Sequence, residues 1–191
     1  MSSESAGRAW RSGRFLIDRA QPLADDALHL YCPGGKDLPV EHLITLALLP
    51  IHDWNSALLE GASEGPITQF DSISACVFAI DPFRRIRDLL LELKQNNFHW
   101  VTNFPSAEAI DGEMRTTLDD LGFGLQKELE FVDEARALGF AVAAFATTTF
   151  SASLMLENGA TALVTPDASM IDVASLPSGV PVIQLEGHRS V

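Results

Sequence analysis

The sequence predicts an α/β fold built on a parallel sheet. Two observations carry that prediction. Short apolar segments bounded by turn residues recur along the chain, as strands buried on both faces do, and stretches with apolar residues at helical spacing lie between them. The interval between successive strands after residue 73 is about 20 to 40 residues, which suits repeated strand–helix units with right-handed crossovers.

In chain order, residues 14–18 are the one candidate for a first strand, and Ala27–Tyr31 is the first clear one. Pro39 and Pro50 each precede an apolar run, 40–49 and 51–59, read as a helix or helical loop, and the Gly/Ser/Pro-rich residues 61–66 lead out of it. Such a long insertion after a strand is a usual place for an active-site cover. Residues 73–80 read as the next strand, followed by a helix face of Phe83, Ile86, Leu90 and Leu93. Strand 99–103, a helix through Leu125, Leu129 and Val132, and strand 141–146 come next. A helix from Phe150 to Asn158 closed by Gly159, strand Ala162–Thr165 and strand 180–185 complete the pattern.

With 191 residues, 47% of them hydrophobic, the chain can bury the core of one domain. It has no apolar run long enough to span a bilayer. Lys and Arg total 13 against 26 Asp and Glu, and the net charge of -13 disfavours nucleic acid and membrane surfaces as partners. Any anionic ligand must therefore find a local cation or backbone donors. Arg8, Arg11, Arg14 and Arg19 against Glu4 and Asp18 make residues 1–19 locally basic, and these are expected to be a flexible tail ahead of a single domain over 20–191. The start lacks the apolar segment of a secretory signal, so a cytoplasmic location is expected. Cys32 and Cys76 sit in apolar contexts without C-x-x-C spacing, which points to buried thiols; the alternative for Cys32, beside Pro33-Gly34-Gly35, is a nucleophile.

A series of short motifs runs through the chain: Tyr31-Cys32-Pro33-Gly34-Gly35, Leu48-Leu49-Pro50-Ile51-His52-Asp53-Trp54-Asn55, Asp81-Pro82-Phe83, Asn103-Phe104-Pro105, and Ile110-Asp111-Gly112 with Arg115. The Gly122-Phe123-Gly124 turn and Glu128 with Glu130 follow. In order and spacing the series resembles the phosphoenolpyruvate-hydrolase-like family of TIM barrels over residues 27–187. The resemblance implies a barrel whose ligands bind where the C-terminal ends of the strands collect. Two departures stand out. Pro166-Asp167-Ala168-Ser169 occupies the place of the family's His-Met-Gly and Gly-rich turn, and Gly187-His188 is a degraded form of its His-Gly-Gly turn. An eighth strand–helix unit is also missing, so the expected fold is an incomplete or divergent TIM (β/α)8-type barrel. Its exposed edges lead to the expectation of a homo-oligomer.

Asp81, before Pro82, either caps a helix or binds substrate or a divalent metal from the end of a strand. The amide of Asn103 either orients a carboxylate or enolate oxygen or forms a local turn before Pro105. Asp111 and Arg115 lie at helical spacing and hold either an anionic substrate or each other. Glu128 and Glu130, two apart on a helix, face different ways, and Glu128 is read as holding Arg115 or capping a loop. His52 is the candidate general base, because imidazole titrates near neutrality. Asp53 and Asn55 beside it could close over the mouth, although Asp53 also suits a helix cap.

The sequence has no P-loop, dinucleotide glycine fingerprint, G-x-S-x-G elbow or zinc-type histidine pair, which disfavours nucleotide-driven, hydride-transfer, serine-hydrolase and zinc-protease chemistry. The resemblance implies a small-molecule hydrolase or lyase acting on a short anionic oxo-acid or enol. In that picture Arg115 and backbone donors near Gly34 and Gly35 hold the anion, and Asn103 polarises the reacting oxygen. Asp81 or Asp111 moves a proton or positions a divalent ion, Mg2+ being compatible with carboxylate oxygens. The alternative, favoured by the missing His-Met-Gly, is a noncatalytic relative acting as a binding or regulatory subunit. Both rest on one geometric expectation, that Asp81, Asn103, Asp111 and Arg115 converge on a common small molecule.

Overall fold

The computed structural model describes residues 10–49, 52–65 and 70–186. Seven strands lie in chain order in one sheet: β1 (Ser12–Leu16), β2 (Ala27–Tyr31), β3 (Ile73–Val77), β4 (Trp100–Asn103), β5 (Ala141–Phe145), β6 (Ala162–Thr165) and β7 (Val182–Gln184). Each neighbouring pair is parallel. The helices are α1 (Leu43–Leu46), α2 (Trp54–Ser63), α3 (Ile86–Gln95), α4 (Gly112–Asp120), α5 (Leu125–Ala137) and α6 (Thr149–Glu157). Among the described residues, no helix is long and apolar enough to cross a membrane.

The first and last strands meet, which makes the sheet a nearly closed barrel of TIM type. Gly13 bridges to Leu185, and the Glu186 N–H donates to the Gly13 carbonyl at 2.8 Å. Glu186 also accepts from Ser12 Oγ at 2.5 Å and pairs with Arg14 at 2.6 Å. A Cβ on Gly13 would sit 3.0 Å from Leu185 Cδ2, so the glycine lets β1 approach β7. The edge expected to be open is paired, and the ground for association at that edge falls away. The domain also starts earlier than residue 20, because Phe15 and Leu16 of β1 are buried in the sheet and Trp10 is buried below it. Residues 1–9 of the expected tail, and Gly187-His188, lie outside the described residues.

Strand alternation divides the apolar residues into two layers. Tyr31, Ile73, Val77, Val101, Val142 and Leu163 face outward and pack with Leu58, Leu90, Leu93, Val132 and Met155 of the surrounding helices. The opposite set, including Phe15, Leu30, Trp100, Phe104 and Phe145, fills the barrel interior. Phe104 packs on Phe15 and Phe145 with ring centroids 5.0 and 5.5 Å apart. The interior is a packed core, as small barrels require, and Cys32 and Cys76 are buried in it.

Helix boundaries follow local chemistry. Thr148 caps α6 by accepting from the Ser151 N–H at 3.1 Å, and Gly159, at φ +103°, ends the turn beyond that helix. The helix expected to begin at Phe83 begins at Ile86 instead. Phe83 lies in the preceding turn, held by its N–H bond to Asp81 Oδ1 at 2.8 Å, and is 94% exposed. Asp81 therefore shapes a turn and does not cap α3.

Candidate functional site

The long segment between β2 and β3 and the turn after β3 enclose a cavity of about 480 Å3 at the C-terminal ends of these strands. His52, Asp53 and Asp81 supply its polar groups, and Leu49, Trp54 and Phe83 are among its apolar ones. Asp53 is the N-cap of α2: Oδ1 accepts from the Ser56 N–H at 2.9 Å and Oδ2 from Ser56 Oγ at 2.6 Å. These bonds hold its carboxyl below the ordinary carboxylate range. The same cap fixes Trp54 and Asn55 at the start of the helix.

Asn55 is buried and acts as a two-point clamp on Phe78, donating to its carbonyl and accepting from its N–H, both at 3.0 Å. Its Nδ2 also donates to Asp81 Oδ2 at 2.8 Å. Asp81 thus faces the cavity with a fixed orientation. Arg84 stands between the two carboxylates, 3.7 Å from Asp53 and 3.9 Å from Asp81, and bonds Ser56 Oγ. Asn55, expected to close over the mouth, is a buried support for it.

A second network lies behind β4. Asn103 repeats the clamp on Phe145, with Nδ2 donating to the carbonyl at 3.2 Å and Oδ1 accepting from the N–H at 2.7 Å. Its remaining bond goes to Glu128 Oε2 at 2.6 Å. Glu128 also accepts from Ser106 Oγ at 2.8 Å and the Ala107 N–H at 2.7 Å. Burial pushes its carboxyl up to about 7, although these three donors favour the charged form. Neither Asn103 nor Glu128 reaches the mouth, because Asn103 follows the outward parity of Val101 while Trp100 and Phe104 point inward.

Arg115 pairs with Glu108 at 2.6 Å and with Asp119 at 3.1 Å, and Glu108 takes a further bond from Thr147 at 3.3 Å. It is not held by Asp111 or Glu128, as expected. Asp111 is exposed at the N-cap position of α4 and makes no side-chain cap bond. Among the described residues, these contacts form two networks, Asn55–Asp81–Arg84 and Asn103–Glu128 with Arg115–Glu108 nearby, and Arg115 bonds to Glu108 and Asp119 and not to Asp81.

Gly34 and Gly35, expected to offer donors to an anion, are needed for packing. A Cβ on Gly34 would lie 2.7 Å from Trp54 Cε3, one on Gly35 would lie 2.8 Å from Leu43 Cδ1, and the Gly35 N–H is bonded to Cys32 at 3.0 Å. Gly34→Ala is expected to destabilise the protein by about 1–3 kcal/mol through overpacking against the indole, measured by urea unfolding. Unchanged stability would mean that Trp54 is not held there.

Trp54, Arg84, Ser106 and Glu108 were not expected as site or support residues. Trp54 lines the cavity with its indole Nε1–H buried and without an acceptor. Its place directly after a capping Asp was the available signal. Among the described residues, no three His, Cys, Asp or Glu side chains come together to hold a metal ion, and Asp53 and Asp81 both face Arg84, so these residues do not fit a Mg2+ site.

Residues 43–170 match the profile of the family described as Phosphoenolpyruvate hydrolase-like. The chain is 44% identical over 115 residues, 60% of its length, to uncharacterized protein y4oT of Sinorhizobium fredii (strain NBRC 101917 / NGR234), and the match covers 58% of that relative. It is 36% identical over 118 residues to ToMV resistance protein Tm-1(GCR237) and ToMV susceptible protein tm-1(GCR26) of Solanum lycopersicum, over 61% of this chain and 16% of each of theirs. The chain thus spans less than two thirds of the curated relatives it matches.

Proposed function

We propose that this chain, which belongs to the phosphoenolpyruvate hydrolase-like family, is a small-molecule hydrolase or lyase whose short anionic oxo-acid or enol substrate binds in the cavity between the β2 and β3 ends. The observation that carries this reading is the joining of one imidazole and two carboxylates to an apolar wall in a cavity of about 480 Å3. Ligand pockets typically measure about 300–1,000 Å3. Arg84 is not among the residues lining the cavity; paired with Asp53 and Asp81, it offsets part of the negative charge that they bring to it. His52 takes a proton from water or from the carbon beside the carbonyl and returns it to the leaving group. Asp81, a lining residue oriented by Asn55, is paired with Arg84 at 3.9 Å.

A noncatalytic role is the second reading. It is favoured by the filled barrel interior and by the internal bonds that occupy Asn103, Arg115 and Glu128. Thermal unfolding with pyruvate, phosphoenolpyruvate or phenylpyruvate, paired with product detection by NMR, separates the two. At a hundredfold excess over Kd, a ligand of the cavity stabilises by about 2.7 kcal/mol, a rise of roughly 5–10 °C in Tm. His52→Ala is expected to keep that rise and lose turnover. Stabilisation of the wild type without turnover favours the noncatalytic role, and no stabilisation by any of the three rejects the cavity as the site.

A further inference from the structure

α4 is a nine-residue helix with no buried residue, tied to the barrel through Arg115, which pairs with Glu108. A helix that short is marginal in water without packing. Met114, Leu118 and Leu121 follow one another at helical spacing, and Met114 and Leu121 are 61% and 65% exposed. Asp111, Glu113 and Asp120 are exposed beside this stripe, and none of the three carboxylates is ion-paired among the described residues. The adjacent surface has the opposite character. Residues 121–124 lead from α4 straight into α5, whose Lys127 joins Arg84, Arg85 and Arg87, at the entry to α3, in lining a groove of about 410 Å3. Four of the chain's 13 Lys and Arg thus meet there against two acids, Glu130 and Glu134, in a molecule of net charge -13. These acids pair with Lys127 and Arg87, and Arg84 pairs with Asp53 and Asp81, whereas Arg85 has no partner among the described residues. Phe83, 94% exposed, immediately precedes Arg84.

We infer that this surface docks a second copy of the chain, with α4 of each protomer against the α3–α5 groove of its partner. A two-fold axis between neighbouring complementary patches makes the contact twice, acid to cation and cation to acid. Each copy supplies what the other lacks: Met114 and Leu121 are covered together with Phe83 and Ile86, and Arg85 gains a carboxylate. A small anion would answer the cations and leave those apolar side chains in water. The net charge of the two chains does not forbid the pair, because at physiological salt charges more than about 8 Å apart are largely screened and those in contact decide. Apolar burial supplies the affinity and the charges fix the register, since exposed ion pairs contribute little by themselves.

Gel filtration of the full chain with light scattering tests this. At micromolar concentration the expected mass is that of two chains. Glu113→Lys with Asp120→Lys, and separately Arg85→Glu with Lys127→Glu, place like charges across both contacts, and each set is expected to weaken the pair about a hundredfold or more. An equimolar mixture of the two variants is expected to pair again, because each then carries the complement of the other. In the wild type, amide hydrogen exchange over residues 112–121 is expected to slow as the concentration rises through the pairing range. This readout stands even where a variant disturbs α4. A mass of one chain, or of more than two, throughout the micromolar range overturns the inference, the former leaving the patches to a different partner. So does a pair that survives in both variants, a mixture that stays monomeric while each variant keeps the helix content of the wild type, or exchange over 112–121 that is the same at low and high concentration.

Discussion

Glu128→Ala is expected to destabilise the protein by about 3 kcal/mol, a fall of roughly 6–12 °C in Tm. The substitution strands three buried donors, Asn103 Nδ2, Ser106 Oγ and the Ala107 N–H. An unmade bond costs each donor its full desolvation, and relief of the buried charge offsets only part of that sum. Loss of Glu128 also frees the turn at 106–109 from α5. Urea unfolding of the variant measures the effect, and a change under about 1 kcal/mol would mean that the network is not assembled as described.

The same carboxylate sets a pH dependence. Burial raises its folded pKa to about 7, above the ordinary value of 4.5 for a glutamate, so between these values the folded chain keeps a proton that the unfolded chain has lost. The stability this contributes is complete below about 4.5 and is lost as the pH rises through about 7. Glu128→Gln removes the titration, and its stability profile is expected to be flatter than the wild type over that window.

Arg115→Ala is expected to cost about 2–3 kcal/mol, less than the largest losses for fully buried pairs because the guanidinium is a quarter exposed. The Glu108 side chain, 2% exposed, keeps only the Thr147 hydroxyl when its cation is gone. Asp111→Ala, at an exposed position without a cap bond, is expected to stay within about 0.5 kcal/mol. If the two residues instead held substrate together, neither change would affect the free protein and both would abolish ligand stabilisation. Parallel denaturation curves of the two variants, free and with phosphoenolpyruvate, distinguish these outcomes.

Much of the fold is legible in the sequence because strands buried on both faces leave continuous apolar runs. Ala27–Tyr31 and Ala162–Thr165 are found at their observed bounds. β1 is harder, since Gly13 and Arg14 interrupt its apolar residues and its place depends on pairing with Leu185, far along the chain. The start of α3 is misplaced because the spacing of Phe83 to Ile86 fits a helix, while the bond from the Phe83 N–H to Asp81 forms a turn there first.

The site is less legible. At Asn103 the signal was present: Trp100, Thr102 and Phe104 share one parity, and Asn103 takes the other, away from the interior. Glu108 lies between two alanines in a 3-10 turn, and nothing local announces that Arg115 will find it. The Gly34–Trp54 contact joins two motifs 20 positions apart, which only the folded chain brings together.

The central claim is that the ligand site lies between the ends of β2 and β3, and not at the Asp111–Arg115 segment after β4. A crystal soaked with phenylpyruvate tests it most directly. The expected result is ligand density bounded by His52, Trp54 and Asp81. Density beside Arg115 and Asp111, with that cavity holding only solvent, would contradict it.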